Sequence, residues 1–495
     1  MFSSTPVNGF PPTDQEEEFI LERPLPSSVP KNFLRGRKGV LRFAFFALVT
    51  DLLLWFGIYL GISELTGPYN LLRLNAVLVP IIVLIGALSL IGGYRIRTDF
   101  ASLQYASEHL ISCILAYPVA AFVQYVITSY GSGVHSSRAI YSFSLFLFCG
   151  LSLLVRRFFW FSTSELRSKE GLLVIVDDVY GPIFYRDYLQ SEQHQKLTLL
   201  TTSPSLLGKR IEGPESPIVA WDTSRIVSVL NEDESTDFQA IVIAARFSQL
   251  QAELMSSLSF VHFQKMPVYS LEIFYEKFWG RVLLSLIGAK WPFEANFVLV
   301  QNSIYSSLKR MWDFSFALIA LILLIPVLLV IALAILICDG APVFYSQPRM
   351  GIYQQPFILY KFRTMRVGSD QGDTYTREGD SRVTRLGAFL RKTRLDELPQ
   401  LWNVLNGDMS VIGPRAEWVR LIAEYEKQIP YYHFRHLVRP GITGWAQVNY
   451  PYGASVDDTL QKLSFDLYYI RNFSMHLDAE VTLKTLYVIL FGKGR

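Results

Sequence analysis

Long apolar runs separated by polar, basic connections fill the first third of the chain. Four of them lie at about residues 40–62, 73–94, 107–128 and 139–155. Each run approaches the ~20 residues that an α-helix needs to span a lipid bilayer. Lys and Arg residues cluster before the first run, after the second and after the fourth. By the positive-inside rule, the N-terminus and everything beyond the fourth run are therefore cytoplasmic.

These runs predict four transmembrane helices within residues 39–160. The preceding stretch, residues 1–38, begins with Pro, Ser and acidic residues (STPVNGFPPTDQEEEF). Such a composition buries too little apolar surface to fold. We therefore expect a disordered cytoplasmic tail.

A different pattern occupies residues 165–295. Five short apolar segments, GLLVIV, KLTLLT, PIVAWD, FQAIVIAA and MPVYSL, alternate with more polar stretches. This alternation predicts a parallel sheet with connecting helices, a Rossmann-like α/β domain on the cytoplasmic side. A dinucleotide-binding version needs a glycine-rich loop after its first strand. Here DDVYGP follows, with Gly181 as its only glycine, so we expect a structural or regulatory spacer.

A fifth apolar run covers residues 314–338. Pro326 lies at its middle, where proline removes a backbone hydrogen bond and kinks a helix. Basic residues flank the run on both sides, beginning with Lys309 and Arg310. A spanning helix would place one of these basic groups outside, against the positive-inside rule. The pattern therefore favours a re-entrant hairpin over residues 311–338, with an ordinary kinked spanning helix as the alternative.

The composition agrees with a membrane protein that carries soluble parts. Of 495 residues, 51% are hydrophobic and 18% are charged. The net charge of +3 is too small to indicate a nucleic-acid partner. All three cysteines fall in apolar stretches without paired spacing, which argues against a disulfide framework or a zinc site.

The last third of the chain carries the candidate chemistry. Within KTRLDELPQLWNVLNGDMS, the adjacent acids Asp396 and Glu397 follow a cluster of cations. They precede a helix predicted to begin at Pro399 and end at Gly407, and a helix start stabilises negative charge. Arg binds phosphate oxygens, so this setting indicates a phosphorylated substrate, with the acids holding a metal ion or attacking phosphorus. The alternatives are that the two acids only cap the start of the helix and that the cations are solvated surface charges.

Six ordered motifs in residues 300–495 resemble the monotopic bacterial sugar transferases, the polyprenyl-phosphate phosphoglycosyl transferases. The motifs are Lys309, Arg310 and Asp313 ahead of the apolar run, then APVFYSQPRMG, KFRTM, RVTRLGAFLRK, LDELPQLWNVLNGDMSVIGPR and RPGITGWAQVN. The resemblance implies a mainly helical, monotopic catalytic domain over these residues. The upstream helices and α/β domain are similar to the longer members that initiate exopolysaccharide, capsule or O-antigen (lipopolysaccharide) synthesis.

The resemblance implies a two-step transfer of hexose-1-phosphate from a UDP-sugar to undecaprenyl phosphate, with release of UMP. Asp396 would be the nucleophile and Glu397 a metal ligand or general base, with Mg²⁺ bound by both acids. The implied phosphate-binding residues are Lys361, Arg363, Arg382, Arg385, Arg415 and Arg439. The implied structural residues are Lys309, Arg310, Asp313 and Pro326.

The expected location is the bacterial inner membrane, with the catalytic domain on its cytoplasmic face. The expected partners are the UDP-sugar, undecaprenyl phosphate, the bilayer and downstream polysaccharide-assembly enzymes, with a homodimer left open and no nucleic acid. The sequence departs from the family pattern at Arg394, Ala416 and NYPYG. These departures leave the identity of the transferred sugar open. The alternatives are a catalytically silent scaffold and a transporter, although Asp51 is one of few charges in the four helices.

Overall fold

The computed structural model describes most of the chain outside its N-terminal end. The described residues are 33–65, 74–94, 98–129, 138–162, 171–191, 196–213, 216–219, 221–226, 238–263, 266–287, 304–368, 380–450, 453 and 455–490. Most of the predicted tail, residues 1–32, lies outside them. The first helix begins at Phe33, inside the range assigned to the tail.

Four helices form in the first third of the chain, as predicted. They are α1 (Phe33–Leu65), α2 (Leu74–Leu90), α3 (Leu103–Ser129) and α4 (Arg138–Ser162). By length and composition, α1, α3 and α4 can cross a membrane, whereas α2 is a shorter apolar helix. Together with one later helix, Ile304–Cys338, the helices α1, α3 and α4 mark the chain as a membrane protein.

Aromatic packing and one buried ion pair hold α1–α4 together. The Trp55 ring meets Phe148 edge to face, and its Nε1–H donates to the Val77 carbonyl at 2.9 Å. Asp51 pairs with Arg156 at 2.6 Å, and both side chains are almost fully buried. Burial of these charges is tolerable only because each neutralises the other.

The middle of the chain forms a five-stranded parallel sheet in the order β3-β2-β1-β4-β5. The predicted parallel sheet is confirmed, and each of the five apolar segments contributes a strand. The strands are β1 (Gly171–Val176), β2 (Lys196–Thr201), β3 (Trp221–Asp222), β4 (Phe238–Ala244) and β5 (Val268–Ser270). Helix α5 (Tyr180–Gln190) connects β1 to β2, and helix α6 (Ala252–Phe263) connects β4 to β5. Every residue of β1 is buried, as expected for a central parallel strand.

The crevice between β1 and β4 is where open parallel sheets usually bind ligands. In this structure, the side-chain carboxylate of Asp177 lies at this position. One oxygen accepts the N–H groups of Val179 and Tyr180 at 3.0 and 2.7 Å. The other accepts the backbone N–H and Nε–H of Arg246 at 2.9 and 3.0 Å. The N–H groups that a phosphate would need are therefore already engaged, in agreement with the missing glycine-rich loop.

A short segment ties the sheet to the C-terminal part of the chain. Helix α7 (Leu271–Phe274) continues as a π-helical turn and ends at Gly280, whose φ is 58°. The Trp445 indole N–H donates to the Gly280 carbonyl at 2.6 Å. Arg281 then bridges Asp187 of the sheet domain and Gln461 of the C-terminal part, each at 3.0 Å.

The fifth apolar run forms one continuous helix, α8 (Ile304–Cys338), with Pro326 inside it. The two-armed hairpin is therefore not confirmed, and the helix begins earlier than the predicted residue 311. Both ends of α8 contact the C-terminal part. Lys309 pairs with Asp478 near the start. Beyond the end, Arg363 donates to the carbonyl oxygens of Asp339 and Gly340 at 2.7 and 2.6 Å.

The C-terminal part is mostly helical around two small sheets. Strands β6 (Phe344–Met350) and β7 (Pro356–Phe362) form an antiparallel hairpin, and β8 (Ser410–Ile412) pairs in parallel with β9 (Gly441–Thr443). The helices are α9 (Arg385–Lys392), α10 (Gln400–Asn406), α11 (Val419–Gln428), α12 (Trp445–Asn449), α13 (Val456–Arg471) and α14 (Met475–Leu490). Helix α14 packs against α3 and so joins this part to the apolar helices.

Candidate active site

The acid pair lies on a tight turn between α9 and α10. Asp396 and Glu397 belong to a 3₁₀ turn, Leu395–Glu397, and are 8% and 9% exposed. Arg394 opens this turn in the left-handed region at φ 59°. The predicted helix begins one residue later than expected, because Pro399 is its N-cap and not its first residue. Gly407 ends it as predicted, at φ 92°.

Glu397 is held as a carboxylate by two cations. Lys361 from β7 approaches it at 2.8 Å, and Arg415 approaches it at 3.8 Å. Burial alone would raise the pKa of Glu397. Lys361 and Arg415 outweigh that effect and lower the pKa to about 2. Glu397 is therefore a fixed negative charge.

Asp396 has the opposite character. Within the described part of the chain, no hydrogen bond or ion pair engages its carboxylate. Burial, and then the negative charge of Glu397, raise its pKa, against the opposing charges of Lys361, Arg391 and Arg394. Two adjacent acids whose pKa values move apart are typical of catalytic pairs with separate roles. Asp396 is thus the uncommitted, more basic member.

A small cleft borders the cations that hold Glu397. Its polar lining consists of Arg349, Lys361, Gln400 and Arg415, next to the apolar side chains of Leu359 and Met409. Arg349 was not among the predicted site residues. Its Nη1–H donates to the Ala416 carbonyl at 3.1 Å, while its buried Nε–H has no partner among the described residues. Three cations around one cleft suit an anionic ligand.

Of the six predicted phosphate-binding residues, the structure brings Lys361 and Arg415 to the acid pair. Three of the other four make contacts elsewhere, and the fourth is Arg385. Arg363 binds the carbonyl oxygens that follow α8. Arg382 pairs with Asp380 at 2.6 Å, and Arg439 donates to the Gly407 carbonyl at 3.0 Å, at the end of α10. Arg385 is exposed at the start of α9.

The predicted structural residues near the start of α8 contact the body of the C-terminal part. Arg310 donates to the carbonyl oxygens of Val404 and Leu405 at 2.6 and 2.9 Å, where a cation complements the C-terminus of α10. Asp313 accepts the Ser410 hydroxyl at 2.7 Å. Pro326 is exposed on α8.

A buried charge network behind Arg415 escaped the sequence prediction. Arg435 donates to the Arg415 carbonyl at 3.1 Å and pairs with Asp466 at 2.9 Å. Burial raises the pKa of Asp466 to about 6, although Arg435 opposes the rise. Glu417 lies 3.7 Å from Arg435. The sequence signal was an acid inside the apolar run of α13, LSFDLYY.

Comparison with known proteins assigns this region to a family. Residues 304–492 match the model of the bacterial sugar transferase family. An exopolysaccharide production protein of Rhizobium leguminosarum is 42% identical over 195 residues, and the chain covers 98% of its length. The chain belongs to the bacterial sugar transferase family.

Two relatives that are longer than the Rhizobium protein carry more specific names. A protein of Aeromonas hydrophila named UDP-N-acetylgalactosamine-undecaprenyl-phosphate N-acetylgalactosaminephosphotransferase is 40% identical over 258 residues, 52% of this chain and 60% of that protein. A UDP-glucose:undecaprenyl-phosphate glucose-1-phosphate transferase of Xanthomonas campestris is 44% identical over 189 residues, 37% of this chain and 39% of that protein. The matched region thus spans less than two thirds of either relative, 60% of one and 39% of the other.

Proposed function

We propose that this sugar transferase moves a sugar-1-phosphate from a UDP-sugar to a polyprenyl phosphate, with undecaprenyl phosphate as the expected acceptor. The names of the relatives support this general reaction. One observation carries the assignment to particular residues: Asp396 is buried and uncommitted beside Glu397, which two cations hold ionised.

In the first step, a carboxylate oxygen of Asp396 attacks the phosphorus that carries the sugar. The bond between that phosphorus and the bridging oxygen of the diphosphate breaks, and UMP leaves with the electron pair. The sugar phosphate stays on Asp396 as an acyl phosphate ester. The raised pKa of Asp396 makes its carboxylate more basic and therefore a stronger nucleophile once ionised.

In the second step, a phosphate oxygen of the lipid acceptor attacks the same phosphorus. The bond from Asp396 to phosphorus breaks, which restores the carboxylate and gives a polyprenyl diphosphate sugar. Two displacements with one nucleophile replace a direct reaction between two anions. Lys361, Arg415 and Arg349 would bind the phosphate oxygens.

A magnesium ion is part of this proposal. Adjacent carboxylates next to a diphosphate fit the ligand preference of Mg²⁺, which takes one or two carboxylates together with substrate phosphates. Asp396 is the more available ligand, because Glu397 is already paired with Lys361 at 2.8 Å. When bound, the ion would offset the charge of the diphosphate.

The proposed membrane arrangement places the cleft on the cytoplasmic face of the inner membrane, with α1–α4 spanning the bilayer within residues 39–160. Residues 165–295 would form the Rossmann-like domain, whose 3-2-1-4-5 strand order suits that assignment. Residues 300–495 would form the catalytic domain. Contacts from both ends of α8 to this one domain suit a re-entrant placement of the helix, and Pro326 is the position at which a bend would form.

Release of UMP from a panel of UDP-sugars tests the reaction. Purified protein in nanodiscs would receive Mg²⁺ and undecaprenyl phosphate, and Asp396→Asn would be compared with wild type. We expect release with one sugar, which also identifies the substrate, and loss of at least ~10³-fold in the variant. No release with any UDP-sugar would overturn the proposed reaction.

The covalent step needs its own measurement. Protein mixed with UDP-sugar labelled in the sugar, without acceptor, should become labelled at Asp396 and lose the label when undecaprenyl phosphate is added. An exposed acid outside the site, Asp457→Asn, is the matched control and should label like wild type. Turnover without any labelled protein, or turnover that survives Asp396→Asn, would refute the covalent mechanism while leaving the transferase activity in place.

A further inference from the structure

A second cluster of reactive side chains lies among the apolar helices, far along the chain from the acid pair. His109 and Cys113 are four residues apart on α3 and so share one face of that helix. Cys149 on α4 faces them. The potential ligand atoms of the three side chains all lie within 4.8 Å of one another. Their exposures are 0%, 1% and 8%.

We propose that His109, Cys113 and Cys149 form a zinc site that links α3 to α4, contrary to the expectation from the spacing of the cysteines along the sequence. Two thiols and an imidazole are the donors that Zn²⁺ prefers in tetrahedral protein sites. A hard ion such as Mg²⁺ or Ca²⁺ would instead require oxygen ligands. Bound zinc needs ligand atoms about 3.5 Å apart, at bond lengths of about 2.0–2.3 Å. The cluster reaches this spacing after a contraction of roughly 1 Å.

Charge selects zinc over a monovalent ion. Binding releases one proton from each of Cys113 and Cys149 to solvent, which leaves two thiolates and a neutral imidazole. With Zn²⁺ the assembly has no net charge, whereas Cu⁺ would leave one negative charge among buried helices. An uncompensated charge is costly in such surroundings.

The histidine is already oriented by neighbouring groups, as ligating histidines usually are. The Ser152 hydroxyl lies 2.9 Å from His109 Nε2, and the Cys149 carbonyl oxygen lies 3.2 Å from the same nitrogen. The Tyr105 hydroxyl lies 3.5 Å from Nδ1. These contacts fix the orientation of the His109 ring within the cluster.

The site would stiffen the helix that carries the C-terminal part. Helix α3 packs against α4 and also against α14 of the catalytic part. A metal bridge between α3 and α4 would fix the relative position of these two helices. It would therefore stabilise the surface on which α14 rests.

Metal content tests the proposal on the full-length protein. The third cysteine, Cys338, is exposed and lies on α8. The Cys338→Ser variant is therefore the control, and the other two substitutions are made in the same variant. After equilibration with buffered zinc, elemental analysis should give about one zinc per chain in Cys338→Ser. Adding Cys113→Ser and Cys149→Ser should reduce this to background. Less than about 0.1 zinc per chain in the control, or unchanged zinc in the triple variant, would overturn the site.

Cobalt substitution gives an answer that does not depend on how the variants fold. Co²⁺ bound to the Cys338→Ser protein should show a thiolate-to-cobalt charge-transfer band, and excess zinc should abolish it. Absence of the band would refute coordination by the two thiols. Thiol counting on the unfolded, unreduced wild type should find three free thiols. A count of one free thiol would show that Cys113 and Cys149 form a disulfide and not a zinc site. Copper in the purified protein would refute the choice of metal.

Discussion

Replacing Lys361 with methionine should move the acid limb of the pH–rate profile to higher pH. Glu397 has its pKa lowered from 4.5 to about 2 by Lys361 and Arg415 against the effect of burial. At 1.36 kcal/mol per unit, this difference corresponds to ~3 kcal/mol of preference for the ionised form. Lys361, at 2.8 Å, is the stronger of the two cations.

Without Lys361, burial is opposed mainly by the more distant Arg415, at 3.8 Å. We expect the pKa of Glu397 to rise by on the order of 1–2 units. Lys361 also lowers the pKa of Asp396, so that pKa should rise further above its ordinary range. Because the proposed attack requires ionised Asp396, activity in Lys361→Met should decline at a pH about 1 unit higher than in wild type.

The assay is kcat/KM for UMP release measured from about pH 4 to pH 9. Arg415→Met should shift the limb less than Lys361→Met, because Arg415 is more distant and its side chain is 36% exposed. The exposed Lys392→Met, at the end of α9, should leave the limb unchanged. An unchanged limb in Lys361→Met, or a shift to lower pH, would refute the electrostatic account of the acid pair.

Three further changes test contacts outside the acid pair. Asp51→Asn leaves Arg156 buried without its partner and should cost about 3 kcal/mol of stability, seen as a lower midpoint of thermal unfolding in detergent; an unchanged midpoint would contradict this. Gly280→Ala should cost about 2 kcal/mol, because φ is 58° and the added Cβ would lie 2.6 Å from Trp445. Gly208→Ala, at φ 74° in open space, should cost less in the same measurement. Arg349→Met should raise KM for the UDP-sugar about tenfold or more with the fold intact, and an unchanged KM would remove Arg349 from the substrate site.

The sheet was predictable because each strand is a short apolar run with polar neighbours. Buried parallel strands produce this pattern wherever they occur. The adjacent acids and Gly407 were predictable for a similar local reason, since caps and breakers act within a few residues. The start of α10 shifted by one residue because the chain first makes the 3₁₀ turn at Leu395–Glu397.

Contacts between distant segments could not be predicted in the same way. Lys361 and Arg363 lie two residues apart in the sequence, but β7 ends at Phe362 and Arg363 turns to the end of α8. Arg349 and Lys361 come to line one cleft only after β6 pairs with β7. Likewise, the spacing of His109 and Cys113 is visible in the sequence, while the approach of Cys149 depends on how α3 packs against α4.

The C-terminal part has two apolar attachments, its own helix α8 and the packing of α14 on α3. A domain attached to a membrane at only one place could still rotate about that attachment. In the proposed membrane arrangement, the second attachment would remove that rotation and would leave the cleft at one height and one tilt. A lipid-linked phosphate, which moves only in the plane of the membrane, would then meet the cleft by a two-dimensional search.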